Sequence, residues 1–337
     1  MKKIIKFSKN YDMDMFKIKK NFYSNNSQNL MKKINMNKIY KKQKKRDKCQ
    51  NCVSKIGLSD FKSFGIDYII CRNCGHLNGK FQNSFKFAHN LYSGQNSKIY
   101  SLNYARDFHQ RVKNIYRPKI KFLKKVIKKK FNITDIGSGG GHFLKACELE
   151  KINATGFETS NYLVNIAKKF IKKNKIKNII FEDINKIIEN NDGDCVSLIG
   201  VLEHLVEPDL AIESFIKSKS KFLFISVPLF SFSSFIEHAN PNIFPRQLGG
   251  DHTHLYTEKS LNYIFKKHKL KIIGEWWFGT DFADLQRTLL NNFSGENSNF
   301  FHKNFQKFFS NYINDFQSVL DKNKICSEVH MVVKKSI

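Results

Sequence analysis

The chain has no hydrophobic run as long as the roughly 18 residues that a membrane-spanning helix needs. Its first residues, MKKIIKFSKNYDMDMF, are basic like the start of a secretion signal, but the apolar stretch that should follow is missing. We therefore predict a cytoplasmic protein. In that compartment thiols stay reduced, so paired cysteines hold a metal more often than they form disulfides.

Acidic residues are scarce, with 29 Asp and Glu against 58 Lys and Arg among 337 residues, which gives a net charge of +29. Such an excess ordinarily favours nucleic acid or an anionic surface as a partner. Here the lysines are scattered over predicted helix faces along the whole chain, so the total charge by itself indicates no partner. Residues 1–45 are locally basic and rich in Asn, and they predict a flexible arm.

Cysteines are also few, seven in all, and four of them form two C-x2-C pairs. The first pair, Cys49 and Cys52, is separated from Cys71 and Cys74 by 18 residues, a spacing typical of a zinc ribbon, here predicted over residues 46–90. Four thiolates complete a tetrahedral site, so we predict a structural Zn²⁺ with no position open for catalysis. His76 is a further candidate ligand.

From residue 132 onward, short apolar runs alternate with amphipathic helices. Continuous apolar runs indicate strands covered on both faces, and therefore a doubly wound, Rossmann-like α/β fold with a parallel sheet. We predict a core over residues 131–337, with a helical insertion at about 281–324 and a helical connector or lid over 91–130. The seven predicted strands are NITDIG, NATGFE, NIIFED, CVSLIGVL, KFLFISVPL, LKIIGEWWFG and SEVHMVVKK.

The stretch ITDIGSGGGHFL, residues 133–144, places glycines directly after the first strand, where a backbone without Cβ atoms can approach a ligand closely. A phosphate-binding P-loop is excluded, because His142 and Phe143 stand where it needs Lys and then Ser or Thr. A dinucleotide-binding site is less favoured, because His142 stands where the fingerprint G-x-G-x-x-G has its last glycine. A nucleoside ligand without phosphate agrees with a loop that carries no cation.

Ligands of such sheets bind at the carboxyl ends of the strands, and polar residues stand at these ends. Glu158 ends the second strand, 21 residues after Gly137, where it can accept both ribose hydroxyls. Asp183 ends the predicted third strand. Glu203 and His204 follow the fourth strand in LIGVLEHLVEP.

These motifs in register, over about residues 100–280 and the final strand, resemble the class I S-adenosylmethionine-dependent methyltransferases. The resemblance implies S-adenosyl-L-methionine as the cofactor, with its methionine part at the glycine loop, its ribose on Glu158 and its adenine beside Asp183. The implied cofactor-binding residues are Asp135, Gly137, Ser138, Gly139, Gly141, Glu158, Thr159, Asp183, Ile184, Val201 and Glu203.

The zinc ribbon ahead of this core, together with GGDHTHLYTEKSL, resembles the zinc-containing sugar methyltransferases of antibiotic and surface-polysaccharide pathways. In those enzymes a His-x-His segment after the fifth strand supplies acid/base chemistry beside the sugar, and His252 and His254 match it. Thr253 stands where the sugar C-methyltransferases usually carry Glu, so carbon and oxygen methylation both stay open. His204 is the third candidate catalytic residue, and a sugar or nucleotide-linked sugar is the implied acceptor.

Three other functions compete with this interpretation. A nucleic-acid methyltransferase would use the zinc ribbon and the basic arm to hold RNA, but EHLVEP is not the N/D-P-P-aromatic pocket used on base amino groups. Cys195 begins a strand, so it is a poor nucleophile for pyrimidine chemistry. A nicotinamide enzyme lacks the D-x-G-x-G-x-G opening, and a non-catalytic nucleic-acid-binding module would not need intact cofactor motifs.

Overall fold

The computed structural model describes residues 2–9, 25–92, 107–293 and 298–336. The strands are β1 (Ile4–Phe7), β2 (Phe61–Ser63), β3 (Ile66–Ile70), β4 (Leu77–Gly79), β5 (Ile133–Ile136), β6 (Ala154–Glu158), β7 (Lys175–Asn178), β8 (Cys195–Ile199), β9 (Phe222–Pro228), β10 (His254–Leu255), β11 (Leu270–Phe278) and β12 (Glu328–Lys335). An eight-stranded sheet in the order β1-β11-β12-β9-β8-β5-β6-β7 forms the core, and a four-stranded sheet in the order β10-β4-β3-β2 lies beside it.

The α-helices are α1 (Asn26–Tyr40), α2 (Phe85–Tyr92), α3 (Phe108–Arg111), α4 (Arg117–Ile127), α5 (His142–Leu149), α6 (Asn161–Phe170), α7 (Ile184–Glu189), α8 (Pro208–Lys217), α9 (Phe232–Ala239), α10 (Glu258–Lys267), α11 (Asp281–Asn292) and α12 (Ser298–Lys322). A π-helical turn, Val112–Tyr116, joins α3 to α4. None of the helices in the described parts of the chain combines the length and the apolar character needed to cross a membrane.

The large sheet is covered on both faces, as its continuous apolar strands predict. Successive side chains of a strand point to opposite faces, and in β8 Val196 and Leu198 join one buried cluster with α7, α8 and α10 while Cys195 joins another with α4 and α5. Strands β5 to β9 run parallel, and β12 is antiparallel to both β9 and β11. The predicted α/β class with a mostly parallel sheet is therefore confirmed.

The sheet has eight strands rather than the predicted seven. The additional strand, β1, pairs in parallel with β11 at the edge of the sheet. Its residues belong to the segment that composition predicts to be a flexible arm, and α1 also lies in that segment. Helix α1 is held by tertiary contacts, since Lys33 pairs with Asp251 and Asn37 donates to the carbonyl of Phe64. Composition gives no sign of such contacts, because they join residues that lie far apart in the sequence.

One predicted strand is displaced. The apolar run NIIFED indicates a strand at residues 178–183, but β7 occupies Lys175–Asn178. β7 is the edge of the sheet and mostly exposed, so it needs no continuous apolar run. Phe181 and Ile184 instead pack into the core after the strand has ended. The other six predicted strands each lie within their predicted segments.

The cysteine-rich segment, residues 46–90, is attached to the core through a shared sheet. Strands β2, β3 and β4 form an antiparallel meander, and β10 of the core pairs with β4. The phenol of Tyr40, at the end of α1, donates to the carbonyl of Phe81. Helix α1, the cysteine-rich segment and the core therefore share one set of contacts.

Replacing Asp281 with Ala should lower the free energy of unfolding by at least about 3 kcal/mol, because five donors would lose a buried, charged acceptor. Asp281 is fully buried at the start of α11, and its carboxylate accepts from Ser231, Ser233 and Gln317 side chains and from two backbone N–H groups. Urea denaturation measures the change. The exposed Asp315 is the matched control, and equal stability losses in both variants would contradict the assignment.

Candidate functional site

A cavity lies beyond the carboxyl ends of β5, β6, β7 and β8, where the Rossmann-like order predicts a ligand. Each of these strands contributes residues at or shortly after its end. The lining residues are Leu91, Tyr92, Tyr116, Asp135, Gly137, Ser138, Gly139, Phe143, Glu158, Thr159, Leu163, Ile179, Phe181, Ile184, Ile199, Gly200, Val201, His204 and Leu205.

The glycine loop is built for close approach of a ligand to the backbone. Gly137 and Gly139 have φ values of +69° and +54°, which residues with a Cβ rarely adopt. A Cβ on Gly137 would lie 2.5 Å from a methyl carbon of Val201. The loop therefore requires glycine both for its conformation and for the space beside Val201.

Glu158 is oriented by backbone donors and still has capacity to bind a ligand. One carboxylate oxygen accepts from the N–H of Gly139 at 2.7 Å, and the other accepts from the N–H of Ser160 at 2.8 Å. Each carboxylate oxygen has two lone pairs. The oxygen that faces Gly139 can therefore accept a further hydroxyl, and on the other oxygen a ligand hydroxyl could replace the long 3.5 Å bond from the Thr159 hydroxyl. Burial raises the pKa of Glu158.

Asp135 lies under the glycine loop, 2% exposed. Its carboxylate accepts from the hydroxyl of Ser197 at 2.7 Å. Burial raises the pKa of Asp135 to about 7, because a charged carboxylate is poorly solvated there. A cationic ligand group in the cavity would favour the ionised form.

Most of the predicted cofactor-binding residues line this one cavity, namely Asp135, Gly137, Ser138, Gly139, Glu158, Thr159, Ile184 and Val201. Three do not. Gly141 packs against Ala167, Glu203 lies beside His204, and Asp183 is exposed on the turn that follows β7. Asp183 is displaced because β7 ends at Asn178, several residues earlier than the edge that was predicted.

Aromatic residues that the sequence motifs do not predict form walls of the cavity. Tyr92 ends α2, Tyr116 precedes α4, and Phe181 follows β7. The first two come from helices upstream of the first core strand, in the predicted connector, and no motif marks them. The apolar run around Phe181 predicts a strand there, but Phe181 lies shortly after the edge strand β7, and this position brings it to the cavity.

His204, which lines the cavity, contacts two further polar side chains, Glu203 and His252, that lie outside the lining. Glu203 and His204 belong to a 3₁₀ turn after β8, and His252 stacks on His204 with ring centroids 5.3 Å apart. A carboxylate oxygen of Glu203 lies 3.7 Å from Nε2 of His204. Burial and the neighbouring His252 lower the pKa of His204 to about 3, and burial lowers that of His252. Both rings are therefore neutral at neutral pH.

The segment 246–252, which carries His252, is held by side chains of other elements. Three consecutive N–H groups, starting at residue 246, donate to the buried carboxylate of Glu237 at 2.7–2.9 Å. The next two donate at 2.8 Å to Tyr68 in β3 and to Asn37 in α1. The cysteine-rich segment and α1 thus position His252 against His204.

His254 does not join its predicted partner His252 at the cavity. It is fully buried in β10, and its Nδ1 lies 2.8 Å from Nε2 of His76. Alternation along an extended segment predicts both histidines on one side, but pairing of β10 with β4 directs His254 toward the cysteine-rich segment. Thr253 between them is also buried.

The four paired cysteines come together as their spacing predicts. Their sulfur atoms all lie within 4.8 Å of one another, with Cys49 and Cys74 at 3.7 Å and Cys52 and Cys71 at 3.5 Å. N–H groups of Asn51 and Asn78 approach the sulfurs of Cys49 and Cys74 at 3.5–3.6 Å. Four sulfurs with N–H donors around them fit a tetrahedral thiolate site for zinc. His76 is not part of this group, since both of its ring nitrogens face Ser260 or His254.

Comparison with known proteins gives one family. Residues 108–275 match the family model described as a methyltransferase domain. No curated protein matches the chain.

Several solved structures are similar to this chain at low identity. The plantazolicin methyltransferase BamL is 17% identical and covers 74% of this chain and 94% of its own, with a TM-score of 0.45. A SAM-dependent methyltransferase from Archaeoglobus fulgidus is 18% identical over 71% of this chain and 99% of its own, with a TM-score of 0.43. A chain of the complex that contains the Haloferax volcanii Trm112 methyltransferase activator is 11% identical over 69% of this chain and 95% of its own, with a TM-score of 0.46.

The family match covers the strands and loops that form the cavity, from α3 to β11. Within it, the glycine loop after β5 and the buried carboxylate that ends β6 face one space. The chain is a class I S-adenosylmethionine-dependent methyltransferase.

Proposed function

We propose that this enzyme methylates a hydroxyl group or an acidic carbon of a small polar acceptor, a sugar or a nucleotide-linked sugar. The observation that carries the proposal is His204 in the lining of the cavity, grouped with Glu203 and His252, which lie outside the lining. A sugar hydroxyl must lose a proton to become a good nucleophile, and the neutral imidazole of His204 offers a lone pair for it. Because burial lowers the pKa of His204 to about 3, the acidic side chain of Glu203 beside Nε2 is needed to stabilise the imidazolium. An acceptor without an ionisable proton would need no such group.

In this proposal the cavity holds the cofactor. Glu158 accepts the ribose hydroxyls, the Gly137 and Gly139 backbone carries the methionine part with Asp135 beneath it, and Phe181 and Ile184 enclose the adenine. When bound, S-adenosylmethionine supplies an electrophilic methyl group on a sulfonium. The protein's task is then to hold the acceptor in line with that methyl, which can contribute ~7–11 kcal/mol.

His204 is the proposed proton acceptor. Its Nδ1 faces the carbonyl of Asp251 at 3.0 Å, which leaves Nε2 as the basic atom. After proton transfer the imidazolium would pair with the Glu203 carboxylate. His254, buried against His76, has no part in the reaction.

The sugar class is supported by the resemblance noted in the sequence, a segment with four paired cysteines ahead of the core and a histidine segment after the fifth strand. In addition, the cysteine-rich segment contacts the turn that bears His204, since Asn83 donates to the His204 carbonyl at 3.0 Å. We propose that the four cysteines bind one Zn²⁺ with a structural role. That ion would fix the elements around the acceptor and take no part in the chemistry.

Changing His204 to Asn should lower kcat by ~100–10,000-fold, the usual contribution of a general base, while the Kd for S-adenosylmethionine stays nearly constant. Turnover is measured with the acceptor in excess, and cofactor binding by calorimetry. His89→Asn, on the exposed face of α2, is the matched control. Full activity of the His204 variant would remove this residue from the mechanism.

The acceptor class is tested by methyl transfer from radiolabelled S-adenosylmethionine to a panel of nucleotide sugars, with RNA as a competing acceptor. We expect label in the nucleotide-sugar fraction. Label in RNA alone, with binding that weakens steeply as salt rises, would contradict the proposal and favour a nucleic-acid methyltransferase.

A further inference from the structure

Glu203, His204 and His252 have the spacing of a metal centre as well as that of an acid/base group. One carboxylate oxygen and one ring nitrogen from each histidine all lie within 4.8 Å of one another. Zinc–nitrogen distances of about 2.1 Å place tetrahedral ligands about 3.4 Å apart. The 3.7 Å separation between Glu203 and Nε2 of His204 is already close to that value.

The hydrogen bonds of the two histidine rings decide which ring nitrogen of each is free to bind a cation. Nδ1 of His252 lies 3.0 Å from the carbonyl of Gln247, and Nδ1 of His204 lies 3.0 Å from the carbonyl of Asp251. A carbonyl only accepts, so each Nδ1 carries the proton and each Nε2 has a lone pair. The Tyr92 hydroxyl, 2.6 Å from Nδ1 of His204, also lies 3.2 Å from the Asp251 carbonyl and can donate there. Histidines that bind metals are typically oriented by such a carbonyl.

The carboxylate supplies an independent indication of a ligand. Glu203 is 2% exposed, and its Oε2 has no hydrogen-bond partner among the described residues. Its other oxygen faces the lone pair of His204. A buried carboxyl group that faces an imidazole lone pair without a hydrogen-bond partner must either hold a proton or bind a cation. A cation between the two groups would accept electron pairs from both.

We propose that Glu203, His204 and His252 bind a divalent cation of the zinc type, separate from the four-cysteine site. Two imidazoles and one carboxylate are a common ligand set for catalytic zinc, and they leave a fourth position for a substrate oxygen. This inference rests on the proposed methylation: with the cation bound, His204 acts as a ligand, and without the cation His204 accepts the proton directly.

The cation would activate the acceptor hydroxyl by binding its oxygen and lowering its pKa. The hydroxyl proton passes to water, and the oxygen forms a bond to the methyl carbon as the C–S bond of the sulfonium breaks. S-adenosylhomocysteine is released. No other reactant is consumed.

The test counts metal ions in the full chain. Apoprotein is loaded with Co²⁺ or Zn²⁺ and analysed by native mass spectrometry and absorption spectroscopy. We expect two ions per chain in the parent protein and one in Glu203→Gln and in His252→Asn. Cobalt at the remaining site should show intense thiolate charge-transfer bands. His89→Asn should keep both ions, and Cys71→Ser should weaken the thiolate bands while the weaker nitrogen–oxygen spectrum persists.

One ion per chain in the parent, or two ions in both Glu203→Gln and His252→Asn, would overturn the inference. Calorimetry of S-adenosylmethionine binding shows whether these variants are folded. The proposed function is judged separately. If protein that holds only the thiolate-bound ion still transfers methyl groups, the proton passes directly to His204. If the protein binds two ions but methylates no sugar, the proposed acceptor class is wrong and the metal site is still supported.

Discussion

Replacing Glu158 with Ala should weaken S-adenosylmethionine binding by about 100-fold or more. The ribose of the cofactor would lose two hydrogen bonds to the Glu158 carboxylate. Hydrogen bonds to a charged acceptor contribute about 1.5–3 kcal/mol each, so the two together contribute at least about 3 kcal/mol. Because Glu158 is buried at the end of β6, water in the variant compensates poorly for the lost hydrogen bonds. Calorimetry measures the loss, and circular dichroism at the same temperature shows that the fold persists.

The matched control for Glu158 is Asp183→Asn. The family resemblance assigns Asp183 to the adenine, whereas the structure places it outside the cavity lining. We expect its affinity for the cofactor to stay within about threefold of the parent value, less than about 1 kcal/mol. A strong loss at Asp183 with no loss at Glu158 would mean that the cofactor lies elsewhere.

Changing Cys71 to Ser should lower the zinc affinity of the four-cysteine site by about 100-fold or more. Structural zinc binds with about 10–16 kcal/mol in small domains, or roughly 3 kcal/mol per ligand. Without the ion, residues 46–90 have only a small core of their own around Ile66, Tyr68 and Leu77. Limited proteolysis should therefore cut this segment in the variant and spare it in the parent.

The same variant separates the cofactor site from the acceptor site. No lining residue of the cavity comes from residues 46–90 within the described chain, so cofactor affinity should change by less than about threefold. Turnover should fall, because Asn83 and Gln50 of this segment hold the backbone around His204 and Val206. Cys326→Ala is the control. It is equally buried but outside the cluster, and it should keep the zinc. A Cys71 variant with normal zinc content would contradict the assignment.

The cofactor loop could be predicted because its constraints are local. A glycine run directly after a buried strand requires positive φ values, and an acid at the end of the next strand reaches the same edge in any parallel sheet. The cysteine cluster could be predicted for a similar reason, since each C-x2-C turn presents two sulfurs within four residues.

Other features depended on partners distant in sequence. His254 lies away from the cavity because β10 pairs with β4, which belongs to the cysteine-rich segment far upstream in the sequence. β1 became the eighth strand because β11 had a free edge beside it, and the composition of residues 1–45 does not reveal that edge.

The sequence alone determined the class of sheet, the glycine loop, Glu158 and the four-cysteine cluster, since apolar periodicity, backbone strain and ligand spacing act over a few residues. The tertiary structure decided which histidines meet. Loop 246–252 is held by Glu237, Tyr68 and Asn37 from three other elements, and that arrangement brings His252 onto His204. Such contacts depend on long-range pairing and buried hydrogen bonds, whose partners no local pattern specifies.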